Sequence, residues 1–129
     1  MSESTALPPT LPTILIVDDS RVSRLVTRQH ILARHADWTV VEAGTGEEAL
    51  AKAPDLQPQL VLLDVNMPGM GGVAAAEQMR KLLPTAHISL LTANVQDATR
   101  QRAHDLGIGF MEKPVTEERI ARVLAPLEA

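Results

Sequence analysis

LVLLDVNMPGMGG, residues 60–72, carries the strongest structural signal in the chain: an apolar run leads directly into a carboxylate and then into a loop rich in glycine. The run shows no alternation with polar residues, which is typical of a strand buried on both faces of a parallel sheet. Such a strand ends where the chain reaches water. We therefore expect Asp64 at the edge of the sheet where open α/β proteins bind their ligands.

The composition narrows the class of protein. The chain has 129 residues, of which 45% are hydrophobic, enough for one globular domain with its own core. The formal net charge of -4 argues against DNA binding. The chain has a single Phe, a single Trp and no Tyr, which argues against binding of nucleic acid by base stacking. The absence of cysteine excludes disulfides and thiolate metal sites. No apolar run approaches the about 20 residues of a membrane helix, so we expect a cytoplasmic protein without membrane contact.

Apolar runs and helical patterns alternate along the chain. Residues 1–12, rich in Pro, Ser and Thr, are predicted to be a flexible tail, and residues 13–127 a single domain. Strands are predicted over 13–17, 38–43, 60–64, 87–92 and 108–112, and helices over 21–34, 46–53, 73–83, 96–106 and 117–124. The second and fifth helices are expected to end before Pro54 and Pro126. This alternation predicts a parallel sheet with helices on both faces.

Apolar residues of the first predicted helix recur near helical spacing at Val22, Leu25, Val26, Leu32 and Ala33.

Polar side chains follow the carboxyl ends of four predicted strands. Asp18 and Asp19 follow the first, Asp64 ends the third, Thr92 ends the fourth and Lys113 follows the fifth. Because parallel strands end at one edge of a sheet, these groups should converge there. Clustered carboxylates repel one another unless a cation joins them, and oxygen ligands favour Mg²⁺ or Mn²⁺. The set suits phosphoryl transfer, in which a carboxylate acts as nucleophile and a lysine supplies positive charge.

Each of these residues alone has an ordinary explanation, since an Asp after a strand is usually a turn residue or a helix cap. Their matching positions on separate strands carry the prediction. The histidines are scattered without metal-ligand spacing and are interpreted as ordinary residues: His30, His35, His87 and His104. A small basic patch on the fourth helix, formed by Arg100, Arg102 and His104, is interpreted as a solvated face, with a partner surface as the alternative.

Taken together, these residues resemble the receiver domains of two-component response regulators, which have the CheY-like fold. The resemblance covers residues 13–125 and rests on VDDS (17–20), LDVNMPGMGG (63–72), Thr92 with Ala93, and FMEKP (110–114). It implies a flavodoxin-like, doubly wound α/β fold with five parallel strands in the order 2-1-3-4-5. It also implies a cis peptide bond before Pro114.

The resemblance also implies roles for the convergent residues. Asp64 would be the phosphoacceptor. Asp19 and the backbone carbonyl of Asn66 would ligate Mg²⁺ together with Asp64, and Asp18 would act mainly through bound water. Lys113 would hold a phosphoryl oxygen.

A switch is implied by two further positions. Thr92 would move its hydroxyl to the phosphoryl group, and Phe110, the family's switch aromatic, would turn inward and alter the face of helix four, strand five and helix five. Asn66 and Asn94 stand where such proteins tune the lifetime of the phosphorylated state. Both are uncharged, so we expect an intermediate lifetime.

The implied function is a signalling switch that receives its phosphoryl group from a sensor histidine kinase or a histidine phosphotransfer protein. It would catalyse only its own phosphorylation and dephosphorylation. We expect a free-standing domain, monomeric or weakly dimeric through the switch face, that acts on an unidentified protein without direct DNA binding. A receiver segment of a larger hybrid kinase or multidomain regulator is the alternative.

Two rivals come from other classes of protein. An aspartate-nucleophile phosphohydrolase would need a second Asp two residues after the nucleophile, where this chain has Asn66. A binding module that has lost phosphorylation is disfavoured by the intact set of carboxylates, hydroxyl and lysine.

Overall fold

The computed structural model describes residues 11–93 and 96–128, so residues 1–10 of the predicted tail and the position of Asn94 lie outside the described residues. Strands and helices alternate, as the sequence predicts. The strands are β1 (Thr13–Val17), β2 (Thr39–Ala43), β3 (Leu60–Asp64), β4 (His87–Thr92) and β5 (Gly109–Glu112). The helices are α1 (Arg21–Arg34), α2 (Gly46–Leu56), α3 (Gly71–Leu82), α4 (Asp97–Leu106) and α5 (Glu117–Glu128). None of the described helices is long and apolar enough to cross a membrane.

The five strands form one parallel sheet in the order β2-β1-β3-β4-β5, which confirms the predicted topology. β3 lies at its centre and is buried along its whole length. In the register of the sheet, Val17 pairs with Leu63 and Asp64 pairs with Leu91. Consequently the residues that follow β1, β3 and β4 reach the same edge of the sheet.

The core has two layers because neighbouring residues of β3 point to opposite faces of the sheet. Val61 and Leu63 pack in the layer with buried residues of α2, α3 and α4. Leu60 and Leu62 pack in the layer with buried residues of α1 and α5. A strand packed on both sides has no solvent-facing positions, which explains its unbroken apolar sequence.

The predicted ends of α2 and α5 are wrong. α2 continues past Pro54 to Leu56, and α5 continues past Pro126. Proline has no backbone N–H, so the helix lacks one hydrogen bond at that residue. Close to the carboxyl end of a helix, this loss affects only the last turn. In α2 the helix is closed beyond the proline, because the N–H of Gln57 donates to the carbonyl of Ala53 at 2.9 Å.

The apolar residues of α1 lie mostly at the surface. Val22 is 70% exposed, Leu25 50% and Val26 37%. The buried residues of this helix are Thr27 and Ile31. The hydroxyl of Thr27 donates to the carbonyl of Ser23 four residues earlier, so a polar side chain can occupy a buried position. The apolar spacing at Val22, Leu25 and Val26 therefore marks an exposed stripe, not the face that packs on the sheet.

Candidate functional site

Three carboxylates meet at the carboxyl edge of the sheet. Oxygen atoms of Asp18, Asp19 and Asp64 all lie within 4.8 Å of one another. The three side chains differ in exposure, since Asp18 is 1% exposed and Asp64 5%, whereas Asp19 is exposed. The cluster arises because β1 and β3 are neighbours in register and both strands end here. The structure thus brings together the three carboxylates that the sequence singled out.

Lys113 extends from the end of β5 into the same cluster. Its Nζ lies 3.1 Å from Oδ2 of Asp18 and 3.2 Å from Oδ1 of Asp64. The N–H of Lys113 donates to the carbonyl of Thr92 at 2.8 Å, which fixes the main chain beside β4. The peptide bond between Lys113 and Pro114 is cis, as the resemblance implies. One ammonium group therefore faces two buried carboxylates.

The electrostatics of the cluster disfavour the charged form of Asp64. Burial raises the pKa of the Asp64 carboxyl, and the neighbouring charge of Asp18 raises it further. Lys113 and the main-chain N–H of Asn66 oppose this rise without overcoming it. Burial alone would lower the pKa of Lys113, but its hydrogen bond and charge interaction with Asp18, and then those with Asp64, leave that pKa raised.

The cluster fits a divalent cation. Its donors are oxygen atoms alone, which is the ligand type that Mg²⁺ and Mn²⁺ prefer. A cation would also relieve the repulsion between Asp18 and Asp64, which a single ammonium leaves in place. The exposed side of the cluster, at Asp19, leaves room for the water ligands that Mg²⁺ retains.

Asp18 is held in place by its neighbours along β1 and α1. The N–H of Ser20 donates to Oδ1 of Asp18 at 2.9 Å, and the guanidinium of Arg24 donates to the Asp18 carbonyl at 2.7 Å. Arg24 also forms an ion pair with Glu42 of β2 at 2.9 Å. The sequence reasoning missed Arg24, although its place one turn into the helix after the two Asp residues could have indicated it.

The loop after β3 carries Asn66, which is exposed. Gly69 and Gly71 of this loop have positive φ angles of 79° and 75°, a conformation that residues with a Cβ rarely adopt. The chain can therefore turn sharply from the end of β3 into α3, which begins two residues before its predicted start. The role of the Asn66 carbonyl as a metal ligand stays a prediction.

The two predicted switch residues lie on neighbouring strands. Thr92 is buried at the end of β4, at the edge that bears the carboxylates. Phe110 is half-buried on β5, where it pairs with Leu90. Its ring lies beneath the guanidinium of Arg100, a contact that sequence reasoning missed because residue spacing does not show how α4 packs on β5.

The chain is similar to known proteins. Residues 14–125 match the family model described as the response regulator receiver domain. The response regulator protein VraR of Staphylococcus aureus is 36% identical over 109 residues, which cover 84% of this chain and 52% of VraR. The chain thus spans about half the length of the curated relatives it matches.

Solved structures agree with the sequence matches. The chemotaxis protein CheY4 of Vibrio cholerae has 28% sequence identity and a TM-score of 0.81, covering 91% of this chain and 98% of CheY4. A CheY-like receiver domain protein from Methanospirillum hungatei JF-1 has 27% identity and a TM-score of 0.80, covering 92% of each chain. The strand order, the family match and these neighbours lead to one conclusion: the chain belongs to the response regulator receiver domain family and has the CheY-like fold.

Proposed function

We propose that Asp64 accepts a phosphoryl group from the phosphohistidine of a sensor histidine kinase or a histidine phosphotransfer protein. The observation that carries this proposal is the position of the Asp64 carboxylate. It is buried beside two further carboxylates, with the Lys113 ammonium 3.2 Å away. A nucleophile in this position meets a phosphoryl group beside the Lys113 ammonium, and a bound divalent cation would supply the further positive charge that the phosphoryl oxygens need.

The chemistry follows from the groups at the site. An oxygen of the Asp64 carboxylate forms a bond to phosphorus while the N–P bond of the donor breaks, and the donor's imidazole leaves with the bonding electron pair. Lys113 is placed to transfer one of its contacts from a carboxylate to a phosphoryl oxygen. Asp18, Asp19, Asp64 and the Asn66 carbonyl would hold Mg²⁺, which shields the charge of the phosphoryl oxygens when it is bound.

The exposed stripe on α1 supports a protein donor. We define it as Val22, Leu25 and Val26, which are 70%, 50% and 37% exposed. The stripe begins two residues after Ser20, whose N–H contacts Asp18, so it borders the carboxylate cluster. A donor protein must bring its phosphohistidine up to Asp64, and an apolar surface at the mouth of the site gives it a place to bind.

Phosphorylation would act as a switch and not as metabolic catalysis. The hydroxyl of Thr92 would move to the phosphoryl group, and Phe110 would turn inward beside it, which changes the surface of α4, β5 and α5. A downstream protein would read this surface. A cytoplasmic location, the absence of direct DNA binding and a monomer or weak dimer belong to the same proposal.

The alternative is a receiver segment that works within a larger regulator. One observation favours it: the match to VraR spans only 52% of that protein. The coding sequence on either side of this segment would distinguish the two.

The test of phosphorylation uses acetyl phosphate and Mg²⁺, followed by intact-protein mass spectrometry. We expect one phosphoryl group per wild-type chain, none in Asp64→Asn, and none with a chelator. Asp55→Asn is the control, because Asp55 is an exposed residue of α2 outside the site, and it should be labelled like the wild type. Turnover of many equivalents would indicate a phosphohydrolase, and a wild-type chain that takes up no label would indicate an inert binding module.

A further inference from the structure

Arg100 on α4 lies over the ring of Phe110 on β5. The guanidinium carbon is 5.1 Å from the ring centroid. This is within the about 6 Å over which a cation is attracted to an aromatic face. Arg100 is exposed, so the contact lies at the surface of the molecule. At this point α4 and β5 are thus joined by a cation over an aromatic face.

The ring occupies an intermediate position. It is half-buried and packs at the border of the core layer that contains Leu90 and Ala103. The strand that carries it continues to Glu112, which pairs with Thr92, and then to Lys113. The ring under Arg100 and the phosphorylation site thus share one pair of strands.

We propose that Arg100 is a positioning residue that holds the Phe110 ring in its half-exposed position and thereby favours the unphosphorylated state. The proposal rests on the proposed function, in which Phe110 turns inward. That movement takes the ring away from Arg100, so the contact stabilises only one of the two states. At an exposed site a cation–π contact changes an equilibrium constant by about two- to fivefold. Arg100 would therefore shift the equilibrium between the two states toward the unphosphorylated one by about two- to fivefold.

Three variants separate the contact from simple charge effects. Arg100→Gln removes the cation and keeps a polar chain, and Arg100→Lys keeps a cation without the planar group. Lys81→Gln is the matched charge control, because it removes one exposed cation from the end of α3.

The first measurement is NMR of ring-labelled phenylalanine without any phosphoryl group. The sequence holds one Phe, so the ring signals all belong to Phe110. We expect these signals to move in Arg100→Gln, to move less in Arg100→Lys and to stay in place in Lys81→Gln. Unchanged signals in Arg100→Gln would overturn the proposal.

The second measurement is the affinity for beryllofluoride, which mimics a phosphoryl group, in the presence of Mg²⁺. We expect Arg100→Gln to bind it about two to five times more tightly than the wild type. In a Phe110→Leu background the same change at Arg100 should have no effect. An equal effect in that background would refute the coupling through the ring.

The two measurements also separate this proposal from the proposed function. A wild-type protein that does not bind beryllofluoride would refute the proposed function and the coupling with it. The ring signals of Arg100→Gln would still report whether Arg100 holds Phe110.

Discussion

Gly72 lies directly against the main chain of Asp64, and a Cβ atom at Gly72 would fall 2.1 Å from the Asp64 carbonyl oxygen. The obstructing atom belongs to the backbone of the central strand, so it cannot rotate away as a flexible side chain could. The start of α3 is thereby packed against the end of β3, and the position of the candidate phosphoacceptor depends on a residue without a side chain.

We therefore expect Gly72→Ala to displace either α3 or the end of β3. Such overpacking costs about 1–3 kcal/mol in the free energy of unfolding, and the labelling of Asp64 should fall as well. Urea unfolding and mass spectrometry measure the two effects. Gly44→Ala is the control, because a Cβ there would meet its nearest atom, on the Arg24 side chain, at 3.6 Å. A Gly72→Ala variant as stable as the control would contradict the packing described.

Neutralising Asp64 should stabilise the protein at neutral pH. Burial, and then the charge of Asp18, raise the pKa of Asp64 above its usual value of 3.8. An acid with a raised pKa contributes stability below the pKa of the unfolded chain and loses it as the pH rises through the pKa of the folded chain. We expect Asp64→Asn to melt a few degrees higher than the wild type at pH 7 with a chelator present.

That difference should shrink as the pH falls from the raised pKa of the folded chain to 3.8, because the wild-type carboxyl becomes protonated over this range, and it should change no further below 3.8. Mg²⁺ should raise the melting temperature of the wild type more than that of Asp64→Asn. Calorimetry over this pH range measures both effects, and a variant less stable than the wild type at pH 7 would contradict the electrostatic account.

The exposed stripe on α1 leads to a prediction about donors. Leu25→Glu places a charge in the stripe without disturbing the core, since Leu25 is 50% exposed. We expect phosphotransfer from a phosphohistidine protein to slow by about fivefold or more, which corresponds to interface residues worth over 1 kcal/mol. Labelling by acetyl phosphate should stay unchanged. Leu82→Glu, at a site 44% exposed on α3, serves as the control, and equal slowing in both variants would refute a docking role for the stripe.

Glu128 ties the end of α5 to the end of α1. It hydrogen-bonds Arg34 at 2.6 Å and also contacts His35, whose ring stacks on Trp38. The hydrogen bond with Arg34, and next that with His35, lower the pKa of Glu128 from 4.5 to about 2. A carboxyl with a lowered pKa contributes stability above the pKa of the unfolded chain and loses it as the pH falls through the pKa of the folded chain.

Glu128→Gln should therefore be less stable than the wild type at pH 7, and the two should converge as the pH falls from 4.5 to about 2. The effect should be modest and weakened by salt, because the pair lies near the surface. Glu118→Gln, which removes an exposed carboxylate from the same helix, is the matched control for the loss of one negative charge. If the stability of Glu128→Gln changed with pH as steeply as that of the wild type, the contact of Glu128 with Arg34 would contribute nothing to stability.

The topology and the carboxylate cluster could be predicted because both depend on local signals repeated along the chain. The apolar run before Asp64 identifies a doubly buried strand, and parallel pairing then brings Asp64 and Asp18 together. The exposure of Leu25 could not be predicted, since apolar spacing gives a face of the helix but not its orientation on the sheet. The end of α2 could not be predicted from Pro54, because a proline near the carboxyl end of a helix removes one hydrogen bond from the last turn without ending the helix.

Asp18 and Lys113 meet at the site although 95 residues separate them in the chain. The sheet must have placed both β1 and β5 before the carboxylates gain their counter-ion, and contacts between such distant segments form late and slowly. A nascent, truncated or damaged chain that lacks β5 carries Asp64 without the ammonium that faces it. Phosphorylation of Asp64 would then require that β5 has already joined the sheet and brought Lys113 to the site. A kinase would therefore transfer its phosphoryl group only to completely folded copies of the domain.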